Sequence, residues 1–264
     1  MEGSAAQSAV PGSFAAVVCA AGASSRMRGP KKEYRPLDGV SDGSGRPLTV
    51  LGAAVSAFAA FPCIGTIVIT VPALPEIGEA AAREALPEAL FSPSPGGKGP
   101  GILFVPGGRT RRESVHHALS LLAAYHPDYA LIHDGARPWI GASLIGRIIE
   151  AVRQYRAVIP LLPLTETPKE TEPPAGGGAE GMAGGAAVLI RRHLRRANVG
   201  GAQTPQAFAF PEILRAHEKA AERECAEGFE YTDDAEVWGE FCGPVAAIPG
   251  DPGNKKITFP EDLA

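Results

Sequence analysis

The stretch FAAVVCAAGASSRMRGPKKEY, residues 14–34, places a run of apolar residues directly before a loop of small and basic residues. The apolar run predicts a buried strand over Phe14–Ala20, and Gly22 with its small neighbours lets the backbone approach an anion closely. The loop has neither the GxxxxGK[ST] nor the GxGxxG spacing, which excludes the two commonest phosphate-binding loops. Its basic residues are Arg26, Arg28, Lys31 and Lys32. Together these features favour phosphate as the ligand, with a solvated charged loop as the alternative.

Length and composition restrict the class of protein. The chain has 264 residues, of which 45% are hydrophobic and 20% charged, and a formal net charge of −4. These values are typical of one soluble α/β domain, residues 14–264, and argue against a nucleic-acid-binding surface. No apolar run approaches the roughly 20 residues that span a bilayer. Residues 1–13 lack a basic n-region, so we expect a disordered tail rather than a secretory signal. The four cysteines form no CxxC pair, which favours a reducing cytoplasm over a zinc site or disulfides.

Apolar, β-branched runs alternate along the chain with amphipathic patterns, which predicts a mostly parallel sheet with helices on both faces. The predicted strands are Phe14–Ala20, Ile64–Val71, Ile102–Val105, Tyr129–His133, Ala157–Leu162 and Val245–Ile248. The predicted helices are Leu48–Phe61, Glu76–Leu86, Arg111–Ala124, Ser143–Tyr155 and Pro211–Gly228. A further helix is expected to begin with Thr232 as its N-cap, because Asp233 and Asp234 suit the first turn of a helix.

The loops after the predicted strands contain most of the candidate chemistry, since ligands of open α/β sheets bind beyond the carboxyl ends of the strands. In GGRTRRESV, the Gly108 carbonyl and the Ser114 hydroxyl suit the donor and acceptor groups of a cytosine ring; a tight turn is the alternative. In HDGARP, Asp134 suits hydroxyl groups and Arg137 suits a phosphate; an internal ion pair between the two is the alternative. The adjacent His133 is expected to be structural.

Taken together, these segments resemble the 2-C-methyl-D-erythritol 4-phosphate cytidylyltransferase family. The matching stretches are AAGASSRM, KEY, GGRTRRESV, HDGARP, ETPK, QTPQAF, TDDA and NKKITFPEDL, which run in the family's order over nearly the whole chain. The resemblance implies a Rossmann-like nucleotidyltransferase fold with a protruding β-arm, residues 163–198, that forms a homodimer. The Gly-rich run inside the arm, residues 171–187, cannot pack a core and is expected to be a flexible loop.

The resemblance also implies a reaction, in which CTP and methylerythritol phosphate give the CDP-alcohol and pyrophosphate. It implies Mg²⁺ held mainly by the triphosphate, with no metal ligands in the protein. The implied catalytic cations are Arg26, Lys32 and Lys256. The implied CTP contacts are Ala20, Ala21, Gly22, Gly108, Ser114 and Gly135. The implied contacts of the alcohol phosphate are Asp134, Arg137, Thr167, Arg196, Thr204 and Thr232. Of these, Thr167 and Arg196 belong to the arm and would reach the site of the neighbouring subunit.

Several alternatives stand beside this interpretation. Lys31 is the alternative to Lys32, which is preferred because it directly precedes the Glu-Tyr pair of KEY, and Arg192 or Arg195 is the alternative to Arg196. Among enzymes, a ribitol-5-phosphate cytidylyltransferase shares much of the motif set and differs in the alcohol phosphate. A non-catalytic nucleotide-binding module predicts that the cationic positions are missing, whereas they are present. An NAD-binding dehydrogenase requires a GxGxxG loop that the chain lacks.

Overall fold

The first strand, β1 (Phe14–Cys19), lies in the interior of the central sheet. The structure is a computed structural model, which describes residues 12–24, 27, 30–91, 99–172 and 187–263. The side chains of β1 alternate between the two faces of the sheet. Ala16 and Val18 pack into the hydrophobic cluster on one face, and Ala15 and Val17 pack into the cluster on the other. Burial on both faces explains why this strand is a continuous apolar run rather than an alternating one.

Strands and helices alternate through the first two thirds of the chain. The remaining strands are β2 (Pro36–Ser41), β3 (Pro47–Thr49), β4 (Ile64–Val71), β5 (Gly101–Pro106), β6 (Tyr129–Asp134), β7 (Ala157–Pro163), β8 (Lys169–Thr171), β9 (Ile190–His193), β10 (Gly200–Ala202), β11 (Gln206–Ala209) and β12 (Ala246–Pro249). The helices are α1 (Val50–Ala59), α2 (Glu79–Glu84), α3 (Arg111–Leu122), α4 (Ala142–Tyr155), α5 (Glu212–Glu227) and α6 (Asp234–Phe241). No helix within the described ranges is long and apolar enough to cross a membrane.

The central sheet is mixed, with a parallel core. Its strands are ordered β5-β4-β1-β6-β11-β7-β10, and β12 pairs with β7. The pairs β5–β4, β4–β1 and β1–β6 are parallel, whereas β11 runs antiparallel to both β6 and β7. The chain builds the sheet from β1 towards β5 and then crosses over to β6, so the strand order reverses between β1 and β6. Ligands of such sheets bind at the carboxyl ends of the strands beside this reversal.

Helices cover both faces of the sheet and enclose two hydrophobic clusters. Helices α1 and α4 contribute side chains such as Phe58 and Ile148 to the cluster on one face. Helices α3, α5 and α6 contribute Leu119, Ile213 and Trp238 to the cluster on the other face. The predicted α/β class, with a mostly parallel sheet between helices, is therefore confirmed.

The boundaries of several elements differ from the predicted ones. The first helix begins at Val50 and not at Leu48, because Thr49 is its N-cap: the Thr49 Oγ1 accepts a hydrogen bond from the Gly52 N–H. The N-cap of α6 is Asp233 and not Thr232: its carboxylate accepts the Glu236 N–H at 2.9 Å. The hairpin β2–β3 and the strands β10 and β11 were not predicted. Strands β2, β3 and β10 have few apolar residues, and β11 has only four residues.

The segment between β7 and β10 carries a separate two-stranded hairpin. Strands β8 and β9 pair antiparallel with each other, and in the described part of the chain neither pairs with the central sheet. Glu170 of β8 lies 3.3 Å from the Arg192 guanidinium across the hairpin. Leu189 and Ile190 are exposed, with relative exposures of 71% and 52%. This hairpin lies within residues 163–198, the segment predicted to be a β-arm; most of the predicted Gly-rich loop, residues 173–186, lies outside the described residues.

Ser13, which the sequence assigned to a disordered tail, is hydrogen-bonded to the start of β6. Ser13 donates hydrogen bonds through its N–H and its hydroxyl to the Asp128 carboxylate, at 2.7 and 2.9 Å. The N–H groups of Asp128 and Tyr129 bind the Ser13 carbonyl in return. Ser13 thereby extends the contact of β1 with β6, because these bonds fasten it to the start of β6. Residues 1–11 lie outside the described residues.

Candidate active site

A cleft of about 480 Å³ opens at the carboxyl ends of β1, β5 and β6, where the order of the strands reverses. Loops that are far apart in the sequence meet there. The side chains and backbone that line it belong to Cys19, Ala21, Gly22, Ala23, Ser24, Met27, Lys32, Glu33, Thr70, Gly108, Arg109, Thr110, Arg111, Ser114, Asp134, Ala136, Lys256 and Thr258. Seven of the predicted site residues belong to this lining: Ala21, Gly22, Lys32, Gly108, Ser114, Asp134 and Lys256.

The loop after β1 begins with a backbone anchor. The Ala20 N–H donates to the carbonyl and to Oγ1 of Thr70 at the end of β4, at 3.1 and 3.2 Å. Ala20 is 1% exposed and lies behind the cleft rather than in its lining. A Cβ added to Gly22 would meet no atom within 4 Å, so Gly22 has open space at the cleft. The loop therefore leaves the sheet from a fixed point and presents its backbone to the cleft.

The two adjacent lysines of the loop lie in different places. Lys31 is buried under the loop, where its Nζ donates to the Gly22 carbonyl. Lys32 lines the cleft, and its Nζ donates to the Ile257 carbonyl at 2.9 Å. The short 3-10 helix Lys32–Tyr34 produces this separation, because it turns successive side chains in different directions. The structure thus places Lys32, and not Lys31, at the cleft; Arg26 lies outside the described residues.

The turn between β5 and α3 is held by side chains of the helix it precedes. Thr110 is the N-cap of α3, and its Oγ1 accepts the Glu113 N–H at 3.1 Å. The Glu113 carboxylate accepts the Arg109 N–H in return. The Ser114 Oγ accepts the Gly108 N–H at 3.0 Å and donates to the Thr110 carbonyl at 2.9 Å. The segment therefore forms a tight turn, which was one of the two interpretations of its sequence. Gly108 and Ser114 also line the cleft, which was expected from the other.

Glycine is required at the centre of this turn. A Cβ at Gly108 would overlap Cβ and Cγ of Glu113, whose carboxylate is held by the Arg109 N–H, so a larger residue would disturb the turn. The Ser114 hydroxyl is already bound to two backbone groups, so its direct effect is on the geometry of the Gly108 peptide. The wall of the cleft that this turn forms is consequently backbone held in place by hydrogen bonds from Glu113 and Ser114.

Asp134, at the end of β6, is the centre of a cationic cluster. Its carboxylate lies 2.9 Å from Nζ of Lys256, 3.4 Å from Nε of Arg111 and 3.5 Å from Nε of Arg137. Burial raises the pKa of Asp134, but these three cations outweigh it, with Arg111 the strongest, and hold the pKa well below its usual range. The predicted ion pair with Arg137 is thus one part of a larger cluster. Asp134 is ionised at neutral pH and orients cations towards the cleft.

Arg111 is a cleft residue that the sequence analysis did not identify. It is the first residue of α3, and its guanidinium bridges Asp134 to Asp234, whose Oδ2 is 2.8 Å from Nη2. Burial lowers the pKa of Arg111, but Asp234 and Asp134 together raise it well above the usual value. The only sequence signal was its position at the start of a helix that follows a parallel strand. Arg111 connects the cleft to the start of α6.

Cys19 also lines the cleft, at the end of β1. Burial is the main cause that raises the pKa of this thiol to about 12. A thiol that stays protonated at neutral pH is a poor nucleophile. The cleft therefore has the features of an electrostatic site rather than of one that forms a covalent intermediate.

His133 and Thr204 form a buried frame behind Asp134. The His133 Nε2 lies 3.1 Å from the Arg137 carbonyl, which can only accept, so Nε2 carries the proton. Nδ1 then accepts from the Thr204 hydroxyl at 3.1 Å, and the hydroxyl oxygen accepts the Asp134 N–H at 3.0 Å. Burial lowers the pKa of His133 to about 4, so the ring is neutral. The structure places His133 in a structural position, as predicted, and puts Thr204 behind the cleft and not in its lining.

The two glutamines of QTPQAF brace the loops around this frame. The Gln203 amide exchanges hydrogen bonds with the backbone of Asp251, at 2.9 and 3.0 Å. The Gln206 amide donates to Asp233 and accepts the Ala235 N–H, at 2.8 and 3.0 Å. These bonds fix the loop that carries Lys256 and the start of α6 relative to β11. The motif thus has a positioning role that its sequence alone does not reveal.

The remaining predicted residues lie away from the lining. Gly135 is buried, and a Cβ there would lie 2.9 Å from the Cys19 carbonyl oxygen, so glycine permits the approach of β6 to β1. The Thr232 hydroxyl is exposed and binds the Glu236 carboxylate at 2.8 Å. Thr167 and Arg196 are exposed on the arm, where Arg196 donates to the Thr165 carbonyl. The described part of one chain therefore does not bring Thr167 or Arg196 into this cleft.

The described residues contain no group of three or more histidine, cysteine or acidic side chains that could hold a metal ion. At the cleft, the Asp134 carboxylate is ion-paired with three cations, and the Glu33 carboxylate binds Lys31 and Ser24. These carboxylates are already neutralised by the protein. A metal ion in the cleft would accordingly take its ligands mainly from a bound substrate.

A mixed sheet whose strand order reverses under a cleft lined by glycine backbone and cations places the chain in the Rossmann-like α/β class, whose ligands bind at such a reversal. The resemblance noted in the sequence is confirmed by comparison with family models. The chain belongs to the 2-C-methyl-D-erythritol 4-phosphate cytidylyltransferase family, whose model matches residues 14–264.

Individual relatives agree with this assignment. The "Bifunctional enzyme IspD/IspF" of Bartonella tribocorum is 33% identical over 255 residues, which are 95% of this chain and 54% of that protein. The chain thus spans about half the length of that relative. The crystal structure of a 2-C-methyl-D-erythritol 4-phosphate cytidylyltransferase from Thermus thermophilus matches at 26% identity with a TM-score of 0.62, covering 94% of this chain and 95% of that one. A 4-diphosphocytidyl-2C-methyl-D-erythritol synthase from Anaerococcus prevotii shares the fold, with a TM-score of 0.70 at 24% identity and coverage of 96% and 93%.

Proposed function

We propose that the protein transfers CMP from CTP to 2-C-methyl-D-erythritol 4-phosphate, as a step of non-mevalonate isoprenoid biosynthesis. A phosphate oxygen of the alcohol phosphate attacks the α-phosphorus of CTP. The bond from that phosphorus to the oxygen that bridges to the β-phosphate breaks, and pyrophosphate leaves. The observation that carries the proposal is a cleft of about 480 Å³ in which a glycine-containing loop and Lys32 meet an ionised Asp134 that is paired with Arg111 and Lys256.

The reaction requires two anions to approach each other, and cations in the cleft offset their repulsion. In such a transfer the protein contributes positioning and electrostatic stabilisation and no covalent chemistry. We propose that Lys32 and Arg26 stabilise the charge that develops on the α-phosphate, and that Lys256 and Arg137 hold the alcohol phosphate. The neutral Cys19 thiol supports a mechanism without a protein nucleophile.

We propose that the turn between β5 and α3 recognises the cytosine base. A trans peptide is planar, so its C=O and N–H groups point in opposite directions. Because Glu113 holds the Arg109 N–H, the Gly108 carbonyl of the same peptide points away from Glu113. The cytosine amino group is a donor that such a carbonyl can bind. Ser114 acts by fixing the Gly108 N–H, and Ala21 and Gly22 complete the nucleotide contacts.

We propose that Asp134 binds the alcohol and that the buried residues behind Asp134 hold it in position. The carboxylate accepts hydrogen bonds from the hydroxyl groups of methylerythritol while it orients Lys256. Thr204 and Gly135 act on this contact from behind, Thr204 through its bond to the Asp134 N–H. Thr232, on the loop before α6, contacts the alcohol only if that loop moves towards the cleft.

We propose that Mg²⁺ binds with CTP and that its ligands are mainly triphosphate oxygens, in agreement with carboxylates that are already ion-paired. When bound, the ion neutralises part of the triphosphate charge. We further propose a homodimer through the arm, in which Thr167 and Arg196 reach the partner's cleft. The exposed Leu189 and Ile190 of the hairpin support a contact between arms. The four free cysteines support a reducing, cytoplasmic location.

The test measures pyrophosphate release with CTP, ATP, GTP and UTP, each with methylerythritol 4-phosphate, with ribitol 5-phosphate or with neither. We expect release with CTP and methylerythritol 4-phosphate, and at most about 1% of that rate with the other nucleotides. A site built to bind the cytosine amino group rejects UTP by about 10²-fold or more, because uracil has a carbonyl at that position. ATP and GTP are rejected because their purine rings are larger than the cytosine ring. Release only with ribitol 5-phosphate would show that the alcohol is wrong. The absence of release with every alcohol phosphate would refute the proposed transfer. Size-exclusion chromatography with light scattering tests the homodimer.

A further inference from the structure

Lys31 lies beneath the loop that follows β1, with only 3% of its side chain exposed. Its Nζ donates a hydrogen bond of 2.5 Å to the Gly22 carbonyl. The same Nζ lies 3.0 Å from Oε2 of Glu33, whose side chain is 4% exposed. A buried ammonium needs both a counter-charge and hydrogen-bond acceptors, and these two groups supply them. The charge of Lys31 is therefore directed at the loop backbone and not at the cleft.

Glu33 holds the loop at a second point. Its Oε2 also accepts a hydrogen bond of 3.1 Å from the Ser24 hydroxyl. Ser24 has a φ of 53°, in the left-handed region that residues other than glycine rarely adopt. The Ser24 carbonyl accepts the Met27 N–H at 2.8 Å. Lys31 and Glu33 thus hold the loop from below, at Gly22 and at Ser24.

The position of the Gly22 carbonyl determines where the next N–H group points. The carbonyl of Gly22 and the N–H of Ala23 belong to one planar trans peptide and point in opposite directions. Because the carbonyl is directed at the buried Lys31, the Ala23 N–H is directed away from Lys31, and Ala23 itself lines the cleft. Among the described residues, no backbone carbonyl accepts a hydrogen bond from this N–H.

We propose that Lys31 is a positioning residue for the nucleotide: together with Glu33 it holds the Gly22 carbonyl away from the cleft and so presents the Ala23 N–H to the triphosphate. This inference rests on the proposed function. Backbone N–H groups arranged in this way form anion-binding sites in other proteins. The adjacent Lys32, which lines the cleft, acts on the reacting phosphates instead. The two neighbouring lysines therefore have separable kinetic effects.

The test compares Glu33→Gln with the double variant Lys31→Met/Glu33→Gln. The glutamine that both variants share still accepts the Ser24 hydroxyl, so the difference between them is the contact of Lys31 with the loop. We expect the KM for CTP to be roughly tenfold higher in the double variant, which is the effect of losing about one hydrogen bond. The KM for the alcohol phosphate should change less than about twofold. Lys32→Met should instead lower kcat, and Lys219→Met, at an exposed lysine of α5, is the matched control.

A merely structural role for Lys31 would reduce the fraction of active protein, which lowers apparent kcat and leaves the KM for CTP unchanged. An unchanged KM in the double variant would therefore overturn the inference. So would a reversed pattern, in which Lys32→Met is near wild type and loss of Lys31 abolishes kcat. Wild-type turnover in the same assay tests the proposed function separately. Binding of inorganic tripolyphosphate, measured by calorimetry, tests the loop even if no alcohol phosphate is turned over.

A crystal structure of the wild-type protein with CTP provides a second test that does not depend on how the variants fold. The nitrogen of Ala23 should lie within about 3.2 Å of a phosphate oxygen. The Lys31 ammonium should remain on the Gly22 carbonyl. A bound triphosphate that contacts Lys31 directly, or a Gly22 carbonyl that points into the cleft, would contradict the inference.

Discussion

Replacing Asp134 by asparagine removes the one negative charge that three neighbouring cations share in the described cleft. Arg111, Arg137 and Lys256 lie 2.9–3.5 Å from this carboxylate, which is 11% exposed. Breaking a buried ion pair by removing one partner typically costs about 3–5 kcal/mol. Lys256 is 42% exposed and therefore partly screened, so the lower value of about 3 kcal/mol applies. For a protein of this size that loss corresponds to a Tm lower by about 6–12 °C.

The pH dependence gives this prediction a second readout. The pKa of Asp134 is lower in the folded protein than its unfolded value of about 3.9. A carboxyl group with a lowered folded pKa stabilises the fold above its unfolded pKa and loses that contribution as the pH falls. The difference in stability between the wild type and Asp134→Asn should thus be constant from about pH 5 to pH 8 and become smaller below about pH 4.

The assay is thermal and urea unfolding of both proteins across that pH range, together with turnover at pH 7. Asp38→Asn, at an exposed carboxylate of β2, is the control and should melt like the wild type. The double variant Asp134→Asn/Lys256→Met should recover part of the lost stability, since one uncompensated cation is removed with the carboxylate. A Tm for Asp134→Asn within about 2 °C of the wild type at pH 7 would refute the electrostatic reasoning, because a loss of about 3 kcal/mol cannot produce so small a shift.

Four further predictions concern other parts of the molecule. Arg111→Met should lower kcat/KM by about 10², and Arg111→Lys should not restore it, since an ammonium cannot bridge two carboxylates as a guanidinium does; steady-state kinetics decide this. Lys32→Ala and Arg26→Ala should each lower kcat by about 10²–10³ with unchanged thermal melts, and near-normal turnover in both would reject the catalytic assignment. A heterodimer of an Arg196→Ala subunit with a Lys32→Ala subunit should regain part of the activity, and no recovery in a verified heterodimer would count against shared sites. Burial lowers the pKa of His133 from 6.5 to about 4. The neutral ring therefore contributes fully to the stability of the fold above about pH 6.5, and this contribution is lost as the pH falls towards 4. In thermal melts at different pH values, His133→Gln should lose less stability than the wild type over that range.

The parallel core was predictable because its strands are buried on both faces. A short run rich in β-branched residues, such as Ile64–Val71, is typical of a strand buried in the interior of a sheet, and the predicted and observed bounds of that strand agree. The strand β11 was not predicted. It has four residues and inserts antiparallel between β6 and β7, a pairing that depends on segments far away in the chain. Local pattern carries no information about such partners.

In the candidate site, too, some residues were predictable from the sequence and others were not. Gly22, Gly108 and Asp134 were predictable because each follows or ends a strand whose carboxyl end had to face the ligand. Arg111 was not, since its importance comes from two carboxylates that the chain brings from β6 and α6. Thr204 was assigned to the substrate by its motif, yet its hydroxyl is occupied by the backbone of Asp134 and by His133. Motifs identify residues that matter but do not distinguish contact with a ligand from support behind it.

By itself, the order of apolar, small and charged residues determined the fold class and the edge of the sheet at which the candidate site lies, through local periodicity and the rule that parallel strands end at one edge. The family was identified from motifs such as QTPQAF and TDDA, by their resemblance to those of known proteins. Only the tertiary structure decided which of two adjacent lysines faces the cleft, which cations surround Asp134 and where α6 begins. Those outcomes depend on distances between segments far apart in the chain, and such distances are set when all the loops pack together.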